Sequence, residues 1–296
     1  MVTPTHLKKS DKIGILAPAR KVSRIDIEFS IEKFHSWGLE VELAKNIFTE
    51  YNQFAGVDKD RQEDFQKMLD DASVKAIVCA RGGYGSIRII DDLSFLNFKK
   101  SPKWIVGYSD VTVMHSHINQ NFGVETLHAT MPINFNKDEE SVEALRKVLF
   151  GEKIEYLVAA HPLSRIGEAT AELVGGNLSM LYALQGSVSD IQTSGKILFI
   201  EDIDEYLYHI DRMMVSLKRS GKLSQLAGLV VGGLSDMRDN ETPFGKTAEE
   251  IVLDAVSEYN YPVCFGFPAG HTTKNLALPL GRRAKLKVSS QTSLTF

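Results

Sequence analysis

Three places in this 296-residue sequence gather residue types that chemistry can use. The first is Val106-Gly107-Tyr108-Ser109-Asp110-Val111-Thr112, where an apolar strand pattern passes at once into a helical one with a serine at the junction. Such a turn exposes the hydroxyl and sets helix N-terminal N–H groups beside it, where a developing oxyanion would need them. Serine is also a favoured helix N-cap, and by itself the junction reads first as a cap. The second is Ala80-Arg81-Gly82-Gly83-Tyr84-Gly85-Ser86. Its three glycines in four positions let the backbone approach a ligand closely. A sharp turn needing positive φ accounts for one of them, or two. The third is a pair, Ile200-Glu201-Asp202-Ile203-Asp204-Glu205 and Phe267-Pro268-Ala269-Gly270-His271. Most such carboxylate runs are solvated loop charges, and a histidine in a Gly-Pro turn reads equally as a surface residue. Together with Ser109, however, they supply the imidazole and carboxylate that activate a hydroxyl.

Other familiar signatures fail. Gly245-Lys246-Thr247 looks like the end of a P-loop, but Asn240 stands where the earlier glycine is required and no strand leads in. Gly83-Tyr84-Gly85 starts a dinucleotide fingerprint whose last glycine position is Arg88. His115 and His117, two apart on a helix, point to nearly opposite faces and do not suit one ion. There is no Cys-x-x-Cys and no His-Glu-x-x-His. No metal and no cofactor are expected.

The elements that must position these residues alternate. Strand patterns at 13–17, 41–44, 76–80 and 103–108 are separated by helical patterns at 23–37 and 58–72, and helices at 111–121 and 137–150 follow. This βα alternation predicts a parallel sheet with function at the carboxyl ends of its strands. Residues 151–167 contain a proline and no clear period, and read as a linker between domains at 1–155 and 166–296. In the second half, helices are expected at 177–185 and 207–220 and strands at 196–201, 226–232 and 263–266. The alternation at 284–288 and 292–296 reads as a β-hairpin or sheet edge. The fold class is therefore α/β, an N-terminal parallel-sheet domain plus a mixed or β-rich C-terminal domain.

Composition narrows the function classes. Hydrophobic residues make up 43% and charged residues 24%, ordinary for a chain with a full core. A net charge of -4 without long basic runs argues against nucleic acid as a partner. No apolar run approaches the 18 or so residues of a membrane span, and the polar start is unlike a signal peptide. Cys79 and Cys264 lie in apolar runs and read as core residues of a reducing compartment. A cytoplasmic location is expected.

Taken together, these segments resemble the L,D-carboxypeptidase family of serine peptidases, which includes the microcin-immunity peptidases. The likeness is carried by Arg81-Gly82-Gly83-Tyr84-Gly85, Gly107-Tyr108-Ser109-Asp110 and Gly175-Gly176-Asn177-Leu178. It continues through residues 198–205 with Tyr208 and Ile210-Asp211-Arg212, then 266–271 with Leu278-Pro279-Leu280-Gly281. The order and spread of five motifs over nearly the whole chain make it specific. The resemblance implies a Ser-Glu-His triad at a cleft between two domains, with Ser109 as nucleophile and His271 as general base. Glu201, which ends its apolar strand, is the choice for orienting the imidazole, with Glu205 as competitor; sequence alone does not separate them. It further implies the backbone N–H groups of Gly83 and Asp110 as oxyanion donors, and Arg81 and Tyr84 as substrate contacts. One departure is His128-Ala129-Thr130-Met131, where the family has a His-Gly-Pro-Met type of segment. The implied activity is release of the terminal D-alanine from a muropeptide tetrapeptide in cytoplasmic peptidoglycan recycling, by a homodimer. Two alternatives stay open. An aromatic residue lining the cleft (Trp104, Tyr84 or Phe244) would favour a peptidyl-nucleotide substrate. A Ser109–His271 separation too long for proton transfer would favour a non-enzymatic two-domain binding protein.

Overall fold

Apolar runs and amphipathic stretches of the first half fold as alternating strands and helices in the computed structural model, which describes residues 1–296. In chain order they are β1 (Lys12–Leu16), α1 (Arg24–Ser36), β2 (Glu40–Leu43), α2 (Asp58–Asp70), β3 (Val74–Cys79) and α3 (Leu96–Lys100). Then come β4 (Trp104–Gly107), α4 (Thr112–Phe122), β5 (Thr126–His128) and α5 (Glu139–Leu149). The strands pair in parallel in the order β2-β1-β3-β4-β5. Every residue of β4 is buried, as a central parallel strand covered on both faces must be. Local signals open the helices: the Ser23 N–H donates to Asp26 before α1, and the Ser141 N–H donates to Asp138 at the start of α5.

The second half supplies β6 (Glu155–Ala159), β7 (Gly167–Asn177), α6 (Leu178–Ala183), β8 (Ile197–Ile203), α7 (Leu207–Arg219) and β9 (Gly228–Ser235). It continues with α8 (Ala248–Ala255), β10 (Val263–Cys264), β11 (Leu278–Leu280), β12 (Arg283–Val288) and β13 (Gln291–Thr295). A second sheet runs β10-β9-β8-β7-β12-β13-β6, parallel from β10 to β7 and antiparallel beyond. The molecule is thus an α/β protein with one mostly parallel sheet and one mixed sheet.

Three features differ from the reading of the sequence. Residues 151–167 are not simply a linker, because they contain β6, which pairs antiparallel with β13. This is an edge strand with one buried residue, Tyr156, so its order comes from its partner rather than from its own pattern. β7 was not expected at all: its outer half is only partly buried and its inner end carries Gly175 and Gly176, which weaken a strand signal. Finally, β11 crosses back and pairs antiparallel with β5, so the sheets do not divide along the chain at one boundary.

Candidate active site

The turn after β4 depends on a missing side chain. A Cβ on Gly107 would lie 2.9 Å from Val111 Cγ2 and 3.2 Å from Cys79 Cβ, so only glycine lets the chain fold back this tightly. Ser109 follows with φ 65°, a left-handed conformation that a non-glycine residue adopts at a cost. The His115 Nε2–H donates to the Gly107 carbonyl (2.9 Å) and the Ala129 N–H donates to the same oxygen (3.2 Å), pinning the turn from two sides. Burial holds His115 neutral, with its pKa lowered to about 4.

His271 lies beyond β10, after Gly270. A Cβ on Gly270 would fall 2.5 Å from Glu201 Oε2, so this glycine lets the histidine's backbone close on the carboxylate. The result is a continuous hydrogen-bond chain. His271 Nε2 is 3.1 Å from Ser109 Oγ, and His271 Nδ1 is 2.7 Å from Glu201 Oε2. The His271 backbone N–H donates to the same Glu201 oxygen (3.1 Å). Glu201 is fully buried, and its other oxygen, Oε1, has no hydrogen-bond partner. β8 runs two residues past Glu201, which stands at a register irregularity against β9 rather than at the strand's end.

Burial by itself would lower the pKa of His271. The Glu201 charge and hydrogen bond, with Asp202 behind them, outweigh it and hold the imidazole above the ordinary histidine value. Asp202 is pushed up to about 6 by burial and by Glu201, against the pull of its hydrogen bonds from Ser179, Ile203 and Asn177. The Tyr108 ring meets His271 edge-on at 4.9 Å, and its hydroxyl accepts from Asn134 Nδ2 (2.8 Å).

Ser109 and His271 open into a cleft of ≈ 500 Å³ that also exposes Arg20, Arg81, Gly83 and Lys137. A recess of ≈ 270 Å³ continues past His271, lined by Thr130, Asn134, Asp236 and Thr272. The glycine loop packs directly on the serine: a Cβ on Gly82 would be 3.1 Å from Ser109 Oγ. The N–H groups of Gly83 and Asp110 donate to no backbone carbonyl. Arg20, Arg81 and Lys137 have no carboxylate partner within 4.0 Å; Arg81 Nη1 donates to the Lys21 carbonyl (3.3 Å).

The structure therefore brings Ser109, Glu201, His271, Gly83, Asp110 and Arg81 together. It does not bring Tyr84, which is exposed with its ring against Phe54 at 6.1 Å. Glu205 also lies elsewhere: it accepts from Ser179 Oγ (3.0 Å) and pairs with His209 Nδ1 (2.5 Å) one turn along α7. Trp104 is fully buried, and Phe244 lines neither part of the cleft. No group of three or more His, Cys, Asp or Glu side chains is placed to hold a metal ion.

Several site residues escaped the sequence reading. Arg61, 1% exposed, donates to the Pro18 and Gly85 carbonyls (2.7 and 3.0 Å) and pairs with Asp58. The buried Asp110 carboxylate accepts from the Ser86 N–H (2.7 Å). Between them they clamp the far end of the glycine loop. The available signal was an arginine on the apolar face of α2, four and seven residues before the buried Phe65 and Met68. Arg20 and Lys137, by contrast, carry no local signal, because only the meeting of distant loops puts them on one cleft.

Residues 13–129 match the LD-carboxypeptidase N-terminal domain and residues 170–286 the LD-carboxypeptidase C-terminal domain. A probable murein peptide carboxypeptidase of Bacillus subtilis is 35% identical over 98% of this chain and 93% of its own. The crystal structure of muramoyltetrapeptide carboxypeptidase from Oxalobacter formigenes superposes with a TM-score of 0.87 at 28% identity, covering 96% of this chain and 98% of that one. The microcin C7 self-immunity protein, solved with aspartyl sulfamoyl adenosine, has the same fold: TM-score 0.87 at 21% identity, covering 100% and 99%. The chain belongs to the LD-carboxypeptidase family. No helix of the protein is long and apolar enough to cross a membrane.

Proposed function

We propose that this protein is a serine L,D-carboxypeptidase that releases the terminal D-alanine from muropeptide tetrapeptides, in the cytoplasm, as a step of peptidoglycan recycling. The observation that carries the reading is the Ser109–His271–Glu201 hydrogen-bond chain opening into a cationic cleft. Ser109 Oγ attacks the carbonyl that precedes D-alanine while His271 Nε2 takes its proton. The tetrahedral oxyanion is met by the free N–H groups of Gly83 and Asp110. His271 returns the proton to the departing D-alanine amine, leaving an acyl-enzyme, and then activates the water that hydrolyses it. Glu201 fixes the imidazole tautomer through Nδ1 and stabilises the imidazolium.

An exopeptidase must recognise a terminal carboxylate, and Arg81 beside the glycine loop is a cation suited to it. A peptidyl-nucleotide substrate is less well supported. The one aromatic side chain on the cleft, Tyr108, packs on the rings of His271 and His128 rather than offering a free face for a base. A mere binding protein has no use for a serine 3.1 Å from an imidazole backed by a buried carboxylate. Incubation with a muropeptide tetrapeptide should yield free D-alanine and the tripeptide in equal amounts, with the tripeptide left intact. Tetrapeptide that survives unchanged, or cleavage at another bond, would overturn the assignment.

A further inference from the structure

The Gly175-Gly176-Asn177 run has no part in the chemistry above, yet it lies where the two sheets meet behind the nucleophile. The Asn177 N–H donates to Thr112 Oγ1 (3.0 Å), and Thr112 is fully buried. Its own N–H is hydrogen-bonded to the Ser109 carbonyl, three residues back. On the other side, Asn177 is the register partner of Glu201 in the β7–β8 pair, and Asn177 Nδ2 donates to Asp202 Oδ1 (2.9 Å). Two hydrogen bonds and one strand pair therefore link the nucleophile's turn to the carboxylate that holds His271. Close approach is built in. A Cβ on Gly176 would lie 2.5 Å from Thr112 Oγ1, and one on Gly175 would lie 1.9 Å from the Phe199 carbonyl oxygen.

From this we infer that Thr112 is a positioning residue: its hydroxyl, seated on the Asn177 N–H, sets the distance between Ser109 and His271 across the two sheets. Ser109 follows β4 of the first sheet, whereas Glu201 lies in β8 of the second and His271 in the loop after β10, so no bond within either half fixes that distance. Of the other joins, the Asn275 N–H to Ser141 Oγ (2.8 Å) lies on the α5 side, and β11 on β5 reaches the serine turn only at the Gly107 carbonyl, through the Ala129 N–H; neither is a bond to the strand that carries Glu201. Proton transfer depends steeply on such a gap, since misplacement by about 1 Å costs on the order of a hundredfold.

The inference rests on the serine carboxypeptidase reading, and the experiment separates the two. Steady-state D-alanine release from a muropeptide tetrapeptide is measured for the wild type, Ser109→Ala, Thr112→Val and Thr112→Ser, with the folded fraction of each taken from circular dichroism at assay temperature. The expected result is a fall in kcat per folded molecule of about ten- to a hundredfold for Thr112→Val, with KM within about threefold. Thr112→Ser, which keeps the oxygen, should recover most of the rate. A Thr112→Val kcat within twofold of wild type overturns the inference, as does failure of Thr112→Ser to recover the rate. If Thr112→Val does not fold, Thr112→Ala, which puts no bulk against Gly176, is held to the same criteria. If the wild type releases no D-alanine, or Ser109→Ala still releases it, the underlying reading falls instead.

Discussion

Burial and charge compete at His271, and the outcome sets a measurable pH profile. Glu201 prevails, so the imidazole titrates above the ordinary histidine value. Only the neutral ring accepts the serine proton, so activity should rise with pH through that elevated pKa. Stability runs the other way. The charged His271–Glu201 pair contributes fully below the unfolded histidine pKa, about 6.5, and its contribution is lost as pH rises through the folded value. The acidic limb of kcat/KM against pH should therefore centre above about 6.5, and a limb centred below that value would contradict the geometry. Replacing Glu201 by Gln leaves only the Asp202 charge, the smallest of the contributions, against burial. Turnover should fall strongly, by about 10⁴-fold as for loss of the orienting carboxylate in serine triads generally, and the residual limb should move downward. Glu205→Gln should keep most of the activity, because its His209 pair is a partly exposed contact worth at most about 1 kcal/mol. Inactive Glu205→Gln beside active Glu201→Gln would reverse the roles.

At the scale of elements, the two loops that meet at Ser109 are rigid for different reasons. The serine turn is held by glycine at 107 and by the His115 and Ala129 hydrogen bonds to its carbonyl. The glycine loop has no such intrinsic stiffness; α2 and the serine turn clamp it through Arg61 and Asp110. Arg61→Met keeps a long unbranched side chain and removes the Nη1 group that satisfies both the Pro18 and Gly85 carbonyls. Leaving those carbonyls buried and unpaired should cost about 1–3 kcal/mol of stability. It should also lower kcat by roughly tenfold or more, as the Gly83 N–H drifts from the oxyanion position. Activity measured well below the melting transition separates the two effects; full kcat there would show that the clamp is structural only. Strands β6 and β7 teach the complementary lesson. Their own residues alternate weakly, and pairing with β13, β12 and β8 makes them strands.

For the whole molecule, the dominant fact is that the candidate site belongs to neither sheet alone. The larger apolar core, 64 residues, runs from Leu7 through Ile105 and Phe199 to Leu294, a second of 21 residues lies wholly in the second half, and β11 returns from that half to finish the first sheet. The halves should therefore unfold together. In urea, loss of D-alanine release and loss of helical circular dichroism are expected to share one midpoint, as cooperative unfolding requires. A second transition, with activity lost while half the ellipticity remains, would show two independent domains.

How far the sequence reaches follows from the range of the forces involved. Apolar periodicity and glycine punctuation are local, so the βα alternation, the serine turn, the glycine loop and the positions of Glu201 and His271 are legible in the sequence. Family likeness rests on those same segments. Three kinds of feature depended on tertiary structure. Edge strands such as β6 take their order from a partner more than a hundred residues away. Long-range hydrogen bonds, Arg61 to the Gly85 carbonyl and the Asn177 N–H to Thr112 Oγ1, join elements whose spacing in the chain carries no trace of contact. Last comes the choice between two carboxylates four residues apart. Glu201 and Glu205 are chemically identical, and only the approach of Gly270, which needs no room for a Cβ, puts His271 on one and leaves the other to His209.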